Sequence, residues 1–414
     1  MRLSTSIFSL VFCALAAQKG LAEQYLGYSS PYSFDANYQH SSRWMTTMPS
    51  TTNLTHLSIP GTHDTMTSVI VGSIYQCQNL HLRTQLQSGI RFFDIRARLN
   101  NNELLIYHQN QYTQHSYVEV LTIFFNFLEA NPGETILMRL KEELTALNST
   151  IDFLTAFNYY RLNDPETAPG CAKHFWVPPT LGPTYVPTLG DLRSKILILQ
   201  NFGSDPAEYG IKWESPLLSI EDDYDIPDLY AGLDEKFQAI TSGLTSAHNG
   251  IDNNNGKLYL SHLSASVGVL PIEAAAGTKN GSVVGMNDRT GSWLQSGNGG
   301  RTGVVIIDFP GQQLAKSNQP NSLNNHSTPT YLLFHQYKYH TLYPKSKILY
   351  FLSKNQTPTS TSASSNLIKA SHTHNTKSSN MITSSNTTVN IGMGRGAYEV
   401  TPDMPKPTPQ PQPR

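Results

Sequence analysis

The sequence predicts an α/β fold in which parallel strands alternate with helices. Short apolar runs of strand length, such as residues 195–199 and 303–307, are separated by longer stretches with helical periodicity. Polar residues follow directly after several of these runs. Because parallel neighbours need a crossover connection, this alternation indicates a parallel sheet. Six or more such units favour a closed barrel with functional groups at the carboxyl ends of its strands, although periodicity alone fits an open sheet as well.

The amino-acid composition limits the kinds of molecule that the chain is expected to bind. The chain has 414 residues, enough for one large domain or two ordinary ones. Lys and Arg number 29 and Asp and Glu number 30, so the net charge does not favour nucleic acid or a strongly anionic membrane. Charged residues make up 14% of the chain, against about 25% in an average soluble protein. Uncharged polar residues must supply much of the surface, which suits a secreted glycoprotein. Six sequons are candidate glycan acceptors: Asn53, Asn148, Asn280, Asn325, Asn355 and Asn386.

The N-terminus predicts secretion. A short positive start precedes an apolar run over residues 7–17, and small residues follow up to Ala22. This pattern is typical of a cleaved signal peptide over residues 1–22; an apolar N-terminal helix is the alternative. The remaining chain would keep Cys77 and Cys171, an even pair in an oxidising compartment, for which we predict a disulfide bond. Two buried free thiols are the alternative.

The first clear strand leads into the candidate site. Residues 57–59 alternate like a half-buried strand. Pro60 and Gly61 are expected to end that strand and turn the chain. His63 and Asp64 would then stand at the strand's exit on constrained backbone.

Two further strands supply an arginine and a second histidine. Residues 90–99 form a strongly apolar strand that carries Arg96, and residues 104–108 form a strand that ends on His108. One imidazole can accept a proton while the other donates one. A guanidinium between them can hold phosphate oxygens and their developing charge. The pattern therefore predicts a site for a phosphodiester.

A capped helix and another strand follow. Ser116 with Glu119 three residues later has the spacing of a capping box, and a broad apolar helix face follows. Residues 131–133, Asn-Pro-Gly, should end this helix. The strand over residues 135–140 then delivers Lys141 to its exit.

The other predicted elements flank these. They are a lead-in over 23–52, a helix within 66–88, a helix over 151–160, a Pro- and Gly-rich surface excursion over 161–190, a strand over 217–220, a helix over 228–244 and a strand over 258–263. Asp222, Tyr224 and Asp308 stand at strand exits. Beyond residue 319 the pattern decays. Residues 320–355 have no clear repeat and are interpreted as an appended packing segment, and residues 356–414 predict a low-complexity tail that is disordered or O-glycosylated.

Together these motifs resemble the catalytic X domain of phosphatidylinositol-specific phospholipases C, in its bacterial, metal-independent form. The matching segments are residues 60–64, 89–96, 107–108, 131–136 and 140–141. The resemblance covers roughly residues 40–315 and weakens after Glu143. It implies a distorted (β/α)8 barrel of the TIM type over residues 23–319. With the signal peptide and sequons, it leads us to expect a secreted eukaryotic, fungal member of the family.

The resemblance also implies a reaction, in which the inositol 2-hydroxyl attacks phosphorus, diacylglycerol leaves and a cyclic inositol phosphate forms. His63 matches the general base, and Asp308 matches the carboxylate that orients it. His108 matches the general acid, with Asp64 as its carboxylate partner. Arg96 stands where calcium-dependent relatives carry a carboxylate. Its guanidinium would do the work of the ion on the phosphate oxygens, so no metal or cofactor is expected.

Headgroup recognition is implied at three further positions. Lys141 matches a family position near the inositol ring, Asp222 a hydrogen-bonding acid and Tyr224 a ring-stacking tyrosine. Two departures put the headgroup preference in doubt. Asn201 stands where bacterial enzymes carry an arginine that grips the inositol hydroxyls, and Gln109 replaces the usual glycine after the second histidine.

Two other functions compete with this one. A metal-dependent glycerophosphodiesterase or sphingomyelinase-D-like lipase would need carboxylates around an ion, but Arg96 shares a strand face with the available Asp94. A non-catalytic lipid-binding barrel is the second alternative. The expected partner is a phospholipid at a membrane surface, with neither nucleic acid nor a stable protein partner.

Overall fold

The computed structural model describes residues 24–38, 41–178, 182–205, 208–252, 256–266, 268–298 and 300–316. The predicted signal peptide over 1–22, the segment 320–355 and the tail over 356–414 lie outside the described residues, as do the sequons at Asn325, Asn355 and Asn386.

Eight parallel strands curl into a distorted barrel. The described strands are β1 (Gln24–Tyr25), β2 (Tyr28–Ser29), β3 (Ser58–Thr62), β4 (Phe92–Asn100), β5 (Glu103–His108), β6 (Gln111–Ser116), β7 (Thr135–Glu142), β8 (Lys195–Asn201), β9 (Ile211–Lys212), β10 (Leu218–Glu221), β11 (Leu258–His262) and β12 (Gly303–Ile307). The parallel row runs β10-β11-β12-β3-β4-β7-β8-β9. Its two end strands, β9 and β10, share no ladder within the described part of the chain, so the ring stays open between them.

The helices lie outside this sheet. They are α1 (Leu82–Gln87), α2 (Tyr117–Ala130), α3 (Phe153–Leu162), α4 (Ala168–His174), α5 (Leu189–Leu192), α6 (Ala231–Asp252), α7 (Pro271–Ala276), α8 (Met286–Trp293) and α9 (Gln312–Lys316), with short 3-10 turns at Ala36–Tyr38, Leu54–His56 and Thr67–Val69 and a π turn at Leu294–Asn298. The predicted cap of α2 is confirmed, since the Ser116 side chain accepts a hydrogen bond from the Glu119 N–H. No helix among the described residues combines the length and apolar character needed to cross a bilayer.

Strand alternation separates two apolar cores. Successive side chains of a strand point to opposite faces, so Ile59, Phe92 and Leu137 fill the barrel interior. Their chain neighbours Phe93 and Ile136 pack outward against the helices. The same alternation decides which polar residues enter the barrel mouth above the apolar interior.

Pro60 and Gly61 do not end the first strand, contrary to the sequence prediction. β3 continues through both of them to Thr62, and the Pro60 carbonyl accepts the Arg91 N–H at 2.9 Å. A Cβ on Gly61 would lie 2.7 Å from the Phe92 ring. The glycine therefore permits close strand approach rather than a turn.

Other boundaries differ because tertiary contacts override local pattern. The helix predicted within residues 66–88 is confined to α1, at its end, preceded by a single 3-10 turn. The predicted surface excursion over 161–190 contains α4 and α5, which bury apolar residues against the barrel. The predicted strand over 104–108 is real, but as β5 it pairs antiparallel with β4 and β6 and forms an arm rather than a barrel strand.

The predicted disulfide bond is wrong. Cys77 and Cys171 are both free and buried. Cys77 lies at the barrel mouth, 4.0 Å from His108 Nδ1, whereas Cys171 is in α4 and packs in the outer core beside Tyr160. An even cysteine count cannot reveal that the two thiols belong to different regions of the fold.

A buried ion pair secures the barrel wall near the start of β7. Arg91 donates to Glu134 Oε2 from both Nε (3.0 Å) and Nη2 (2.8 Å), and both side chains are fully buried. Glu134 also accepts the backbone N–H groups of Met45 and Thr46. The conspicuous Gly-Ile-Arg and Pro-Gly-Glu segments of the sequence thus meet in a structural contact away from the mouth.

Candidate active site

The mouth of the barrel collects polar side chains from the carboxyl ends of its strands. Inward positions on β3 lead to His63, those on β4 lead to Asp94 and Arg96, and those on β12 lead to Asp308. The parallel register holds these ends at one edge. The predicted catalytic residues on separate strands therefore converge, and His108 reaches them from the arm formed by β5.

His63 is held between an acid and a guanidinium. Its Nδ1 lies 3.0 Å from Asp308 Oδ1, and its Nε2 lies 2.8 Å from Arg96 Nη2. A guanidinium only donates hydrogen bonds, so Nε2 is the acceptor and Nδ1 donates its proton to Asp308. Burial, and then the Arg96 charge, lower the pKa of His63 well below its usual value. The imidazole is thus kept neutral, with an unprotonated Nε2 that accepts from Arg96.

Asp308 completes the orientation of His63. It is 1% exposed, and burial together with the Asp64 charge raises its pKa well above the usual value. The proton on His63 Nδ1 requires an accepting oxygen, and Asp308 Oδ1 supplies it at 3.0 Å. A carboxylate in so dry a setting interacts strongly with an imidazolium when one forms.

Asp64 lies close to both imidazoles and to the arginine. Its Oδ2 lies 3.1 Å from His63 Nε2 and 3.3 Å from His108 Nε2. Its Oδ1 lies 3.1 Å from Arg96 Nε. The backbone of Asp64 has φ +40°, a left-handed conformation that Asp adopts more readily than most residues. Its N–H donates to Asp94 Oδ2 at 3.2 Å, which stabilises this turn.

Arg96 is permanently charged and rigidly placed. Beside its contact with Asp64, its Nη2 lies 2.9 Å from Asp94 Oδ2. Burial opposes its charge, but Asp64 and Asp94 outweigh burial and raise the pKa of Arg96 well above its usual value. Burial likewise opposes ionisation of Asp94, yet the charges of Arg96 and Arg139 lower its pKa. The guanidinium is therefore a fixed positive centre at the mouth.

His108, at the end of β5, approaches Asp64, with Nε2 3.3 Å from Asp64 Oδ2. Its Nδ1 lies 2.8 Å from the Tyr75 carbonyl oxygen, which can only accept, so Nδ1 carries a proton. Nε2 then points at Asp64, and a proton there would be stabilised by the carboxylate. The ring centroids of His63 and His108 are 6.2 Å apart. Both imidazoles and the Arg96 guanidinium can therefore share contacts with one phosphate group.

The three predicted headgroup residues, Lys141, Asp222 and Tyr224, lie in different surroundings. Lys141 lies beside Arg96 in the β4–β7 register and pairs with Glu143 at 2.6 Å. Glu143 in turn accepts the Gln109 N–H at 2.8 Å, which joins Lys141 to the turn after His108. The Asp222 carboxylate lies 3.7 Å from His262 Nδ1 with its side chain 33% exposed.

Tyr224 is the most exposed of the three predicted headgroup residues. Its side chain is 52% exposed on the loop after β10. The ring stacks on no other aromatic ring among the described residues, and its predicted role in stacking on a headgroup stays a prediction.

Three residues at the barrel mouth are not predicted by the sequence analysis. Arg139 pairs with Asp94 at 3.5 Å, Trp213 stacks on the Arg139 guanidinium at 3.9 Å, and the His262 ring lies 6.4 Å from that of His63. Counting every second residue would have found two of them. Arg139 is two residues from both inward Leu137 and Lys141, and His262 is two from inward Leu260.

The mouth does not favour a cation. Within the described residues one group of potential ligands comes close enough to hold a metal ion, namely His63, Asp64 and Cys77. The Arg96 guanidinium already lies 2.8 Å from His63 Nε2 and 3.1 Å from Asp64 Oδ1. An ion on these ligands would meet a permanent positive charge, and burial raises the pKa of the Cys77 thiol, which disfavours the thiolate that a metal needs.

Comparison with known proteins agrees with this fold. Residues 51–202 match the family model for phosphatidylinositol-specific phospholipase C, X domain. The chain is 34% identical over 291 residues to a 1-phosphatidylinositol phosphodiesterase of Listeria monocytogenes, with 66% of this chain and 83% of the relative covered. A Staphylococcus aureus 1-phosphatidylinositol phosphodiesterase is 26% identical over 311 residues, covering 69% and 93%.

A solved structure extends the similarity to three dimensions. The phosphatidylinositol-specific phospholipase C from Listeria monocytogenes aligns with a TM-score of 0.53 at 30% identity, covering 67% of this chain and 98% of that one. The expected distorted barrel is confirmed by this likeness and by the strand order. The chain therefore belongs to the phosphatidylinositol-specific phospholipase C X-domain family.

Proposed function

We propose that this protein is a phosphodiesterase that cleaves phosphatidylinositol-type lipids into diacylglycerol and a cyclic inositol phosphate. The observation that carries the proposal is the convergence of His63, Arg96 and His108 on the Asp64 carboxylate, within 3.3 Å in each case. The names of the Listeria and Staphylococcus relatives support the same substrate.

His63 acts as the general base in this proposal. Its neutral Nε2 takes the proton of the inositol 2-hydroxyl while that oxygen attacks phosphorus. The resulting imidazolium is stabilised through Nδ1 by Asp308. His108 acts as the general acid and gives the proton on Nε2 to the glycerol oxygen as its bond to phosphorus breaks. Each proton transfer typically contributes about 10²–10⁴ in rate.

Arg96 stabilises the charge that develops on the phosphate. It lies beside the proton acceptor, with Nη2 2.8 Å from His63 Nε2, and Asp64 and Asp94 hold it in one orientation. A fixed donor of this kind strengthens its contacts in the transition state without reorganisation. We infer that the reaction needs no metal, because the guanidinium occupies the position from which an ion would act.

The enzyme binds its lipid substrate at a membrane surface. Rim loops beyond the strand ends expose apolar side chains, among them Val71 (58%), Ile74 (59%) and Leu144 (47%). The first two follow β3 and the third follows β7, so all three extend from the end of the barrel that carries the active site. We further infer secretion and glycosylation from the signal-like N-terminus and the sequons; Asn148 and Asn280 are exposed.

Turnover of phosphatidylinositol vesicles by purified full-length protein tests the proposal. Wild type should release diacylglycerol in the presence of a chelator, and His63→Ala should lower the rate by about 10² or more. His115→Ala is the matched control, because His115 forms a surface pair with Glu119 away from the mouth. Equal rates for wild type and His63→Ala would leave only a binding function. Activity lost to chelator and restored by a divalent ion would favour a metal-dependent lipase.

A further inference from the structure

Arg139 is positioned beside the catalytic cluster but is not needed by the chemistry proposed above. Its Nε and Nη2 donate to Asn201 Oδ1 at 3.1 and 2.8 Å, and its guanidinium stacks on Trp213. The side chain is only 6% exposed. Nη1 makes a long contact of 3.5 Å with Asp94 and has no hydrogen-bond partner within the described residues. A buried donor is thus left available.

His262 presents the complementary group. Its side chain is fully buried, and its Nδ1 lies 2.9 Å from the Glu221 carbonyl oxygen. That oxygen accepts, so Nδ1 carries the proton and Nε2 is an acceptor. Nε2 is buried and has no partner among the residues that the structure describes. Leaving such an atom unpaired typically costs about 1–3 kcal/mol, so a ligand that pairs with it gains affinity.

Trp213 places the two groups in one subsite. Its ring lies 3.9 Å from the Arg139 guanidinium carbon and 6.2 Å from the centre of the His262 ring. An open cleft of about 940 Å³ is lined by both Asn201 and Trp213. The His262 ring is also 6.4 Å from that of His63. Trp213 therefore links the cleft to Arg139 and His262, and His262 lies next to the proposed general base.

We propose that Arg139 and His262 form a diol-binding subsite that holds two neighbouring hydroxyls of the cyclitol headgroup, with Trp213 as its apolar wall. This rests on the proposed function and names the residues that would decide headgroup specificity. One hydroxyl oxygen accepts from Arg139 Nη1, and an adjacent hydroxyl donates to His262 Nε2. The ring face between them packs on the indole.

The hydrogen-bond pattern selects hydroxyls over a second phosphate. A phosphate dianion offers only acceptors, which would leave His262 Nε2 facing an oxygen with no proton between them. The charge of Arg139 is already balanced by Asp94, and Asp222 stands beside His262. A hydroxyl can donate and accept, so a vicinal pair satisfies both buried groups.

Inhibition by free myo-inositol and by inorganic phosphate tests this subsite. Full-length enzyme is assayed on phosphatidylinositol vesicles, the substrate of the proposed function. Arg139→Met should raise the inhibition constant of myo-inositol about 10-fold or more, as for a hydrogen bond to a charged group, and His262→Phe about 3- to 10-fold. The constant for phosphate, which the Arg96 centre binds, should stay within about two-fold. KM should rise more than kcat falls.

Arg161→Met is the matched control. Arg161 also donates from Nε and Nη2 to an asparagine Oδ1, that of Asn158, and it stacks on Tyr209 at 5.1 Å on the outer helix layer. It should change neither constant. If Arg139→Met does not fold, judged by its melting curve, Arg139→Gln carries the same test.

Three results would overturn the subsite. Unchanged myo-inositol inhibition in both variants is the first. The second is a parallel loss of inositol and phosphate inhibition, because that would indicate a merely structural role. The third concerns a wild-type enzyme that fails to cleave phosphatidylinositol. That failure refutes the proposed function. If calorimetry then detects no binding of myo-inositol to the wild type, the subsite is refuted as well.

Discussion

Replacing Arg96 by lysine tests the central feature of the site most directly. The guanidinium contacts three groups at once: His63 Nε2 at 2.8 Å, Asp64 Oδ1 at 3.1 Å and Asp94 Oδ2 at 2.9 Å. A lysine ammonium is a single point charge and cannot reproduce this planar fork. The variant therefore keeps the charge but loses the geometry.

The magnitude follows from the kind of contact that is lost. One preorganised donor to a developing oxyanion is typically worth about 10²–10³ in kcat, and Arg96 can offer two in bidentate form. Arg96→Lys should therefore lower kcat on phosphatidylinositol by at least about 10². A neutral replacement is less informative, because removing one partner of a buried ion pair typically costs about 3–5 kcal/mol of stability.

The assay is steady-state release of diacylglycerol from vesicles, with melting curves recorded in parallel. Arg98→Lys is the matched control, since Arg98 lies two residues further along β4 and donates to the Thr145 carbonyl rather than to catalytic groups. A rate for Arg96→Lys within three-fold of wild type, in a folded protein, would refute the assignment of Arg96 to the phosphate. So would an equal loss in Arg98→Lys.

Further predictions follow from the same contacts. Asp308→Asn should lower kcat by about 10²–10⁴, measured on the same vesicles, because His63 would lose its orienting carboxylate. The acid limb of the pH profile of kcat/KM for wild type should lie below pH 6.5. Burial and the Arg96 charge lower the pKa of His63, so the general base stays neutral at pH values where an ordinary histidine is already protonated. Reducing agent should leave the melting temperature unchanged, because Cys77 is a free thiol. Glu134→Gln should cost about 3–5 kcal/mol in urea denaturation, because it breaks a fully buried ion pair.

Each of these predictions has a contrary outcome. An acid limb above pH 6.5 would mean that the His63 imidazole is not kept neutral by its surroundings. A melting temperature that falls with reductant would indicate a disulfide bond after all. Glu129→Gln is the control for Glu134, since Glu129 pairs at the surface with Lys173 and His174; similar losses in both variants would contradict the structural role of the buried pair.

Long-range pairing explains where the sequence predictions of the fold succeed and fail. Strands such as β7, β8 and β12 carry uninterrupted apolar runs, and these were predictable within two residues. The antiparallel arm of β5 and β6 was not predicted, because an apolar run contains no information about the direction of its neighbour. The sequence pattern predicts a turn at Gly61, whereas the role of this glycine depends on the Phe92 ring of the adjacent strand.

For the site, the sequence alone determined the residue types: two histidines, an arginine between them and acids at strand exits, in a family order that predicts phosphodiester chemistry. Only the tertiary structure decided which of these groups touch. It brought Asp64 between His63 and His108, left Tyr224 at the rim and added Arg139 and His262 from neighbouring strands. The physical reason is that a residue's chemistry is local, whereas its contacts depend on strand pairing and register, which join positions as far apart as 63 and 308 in the chain.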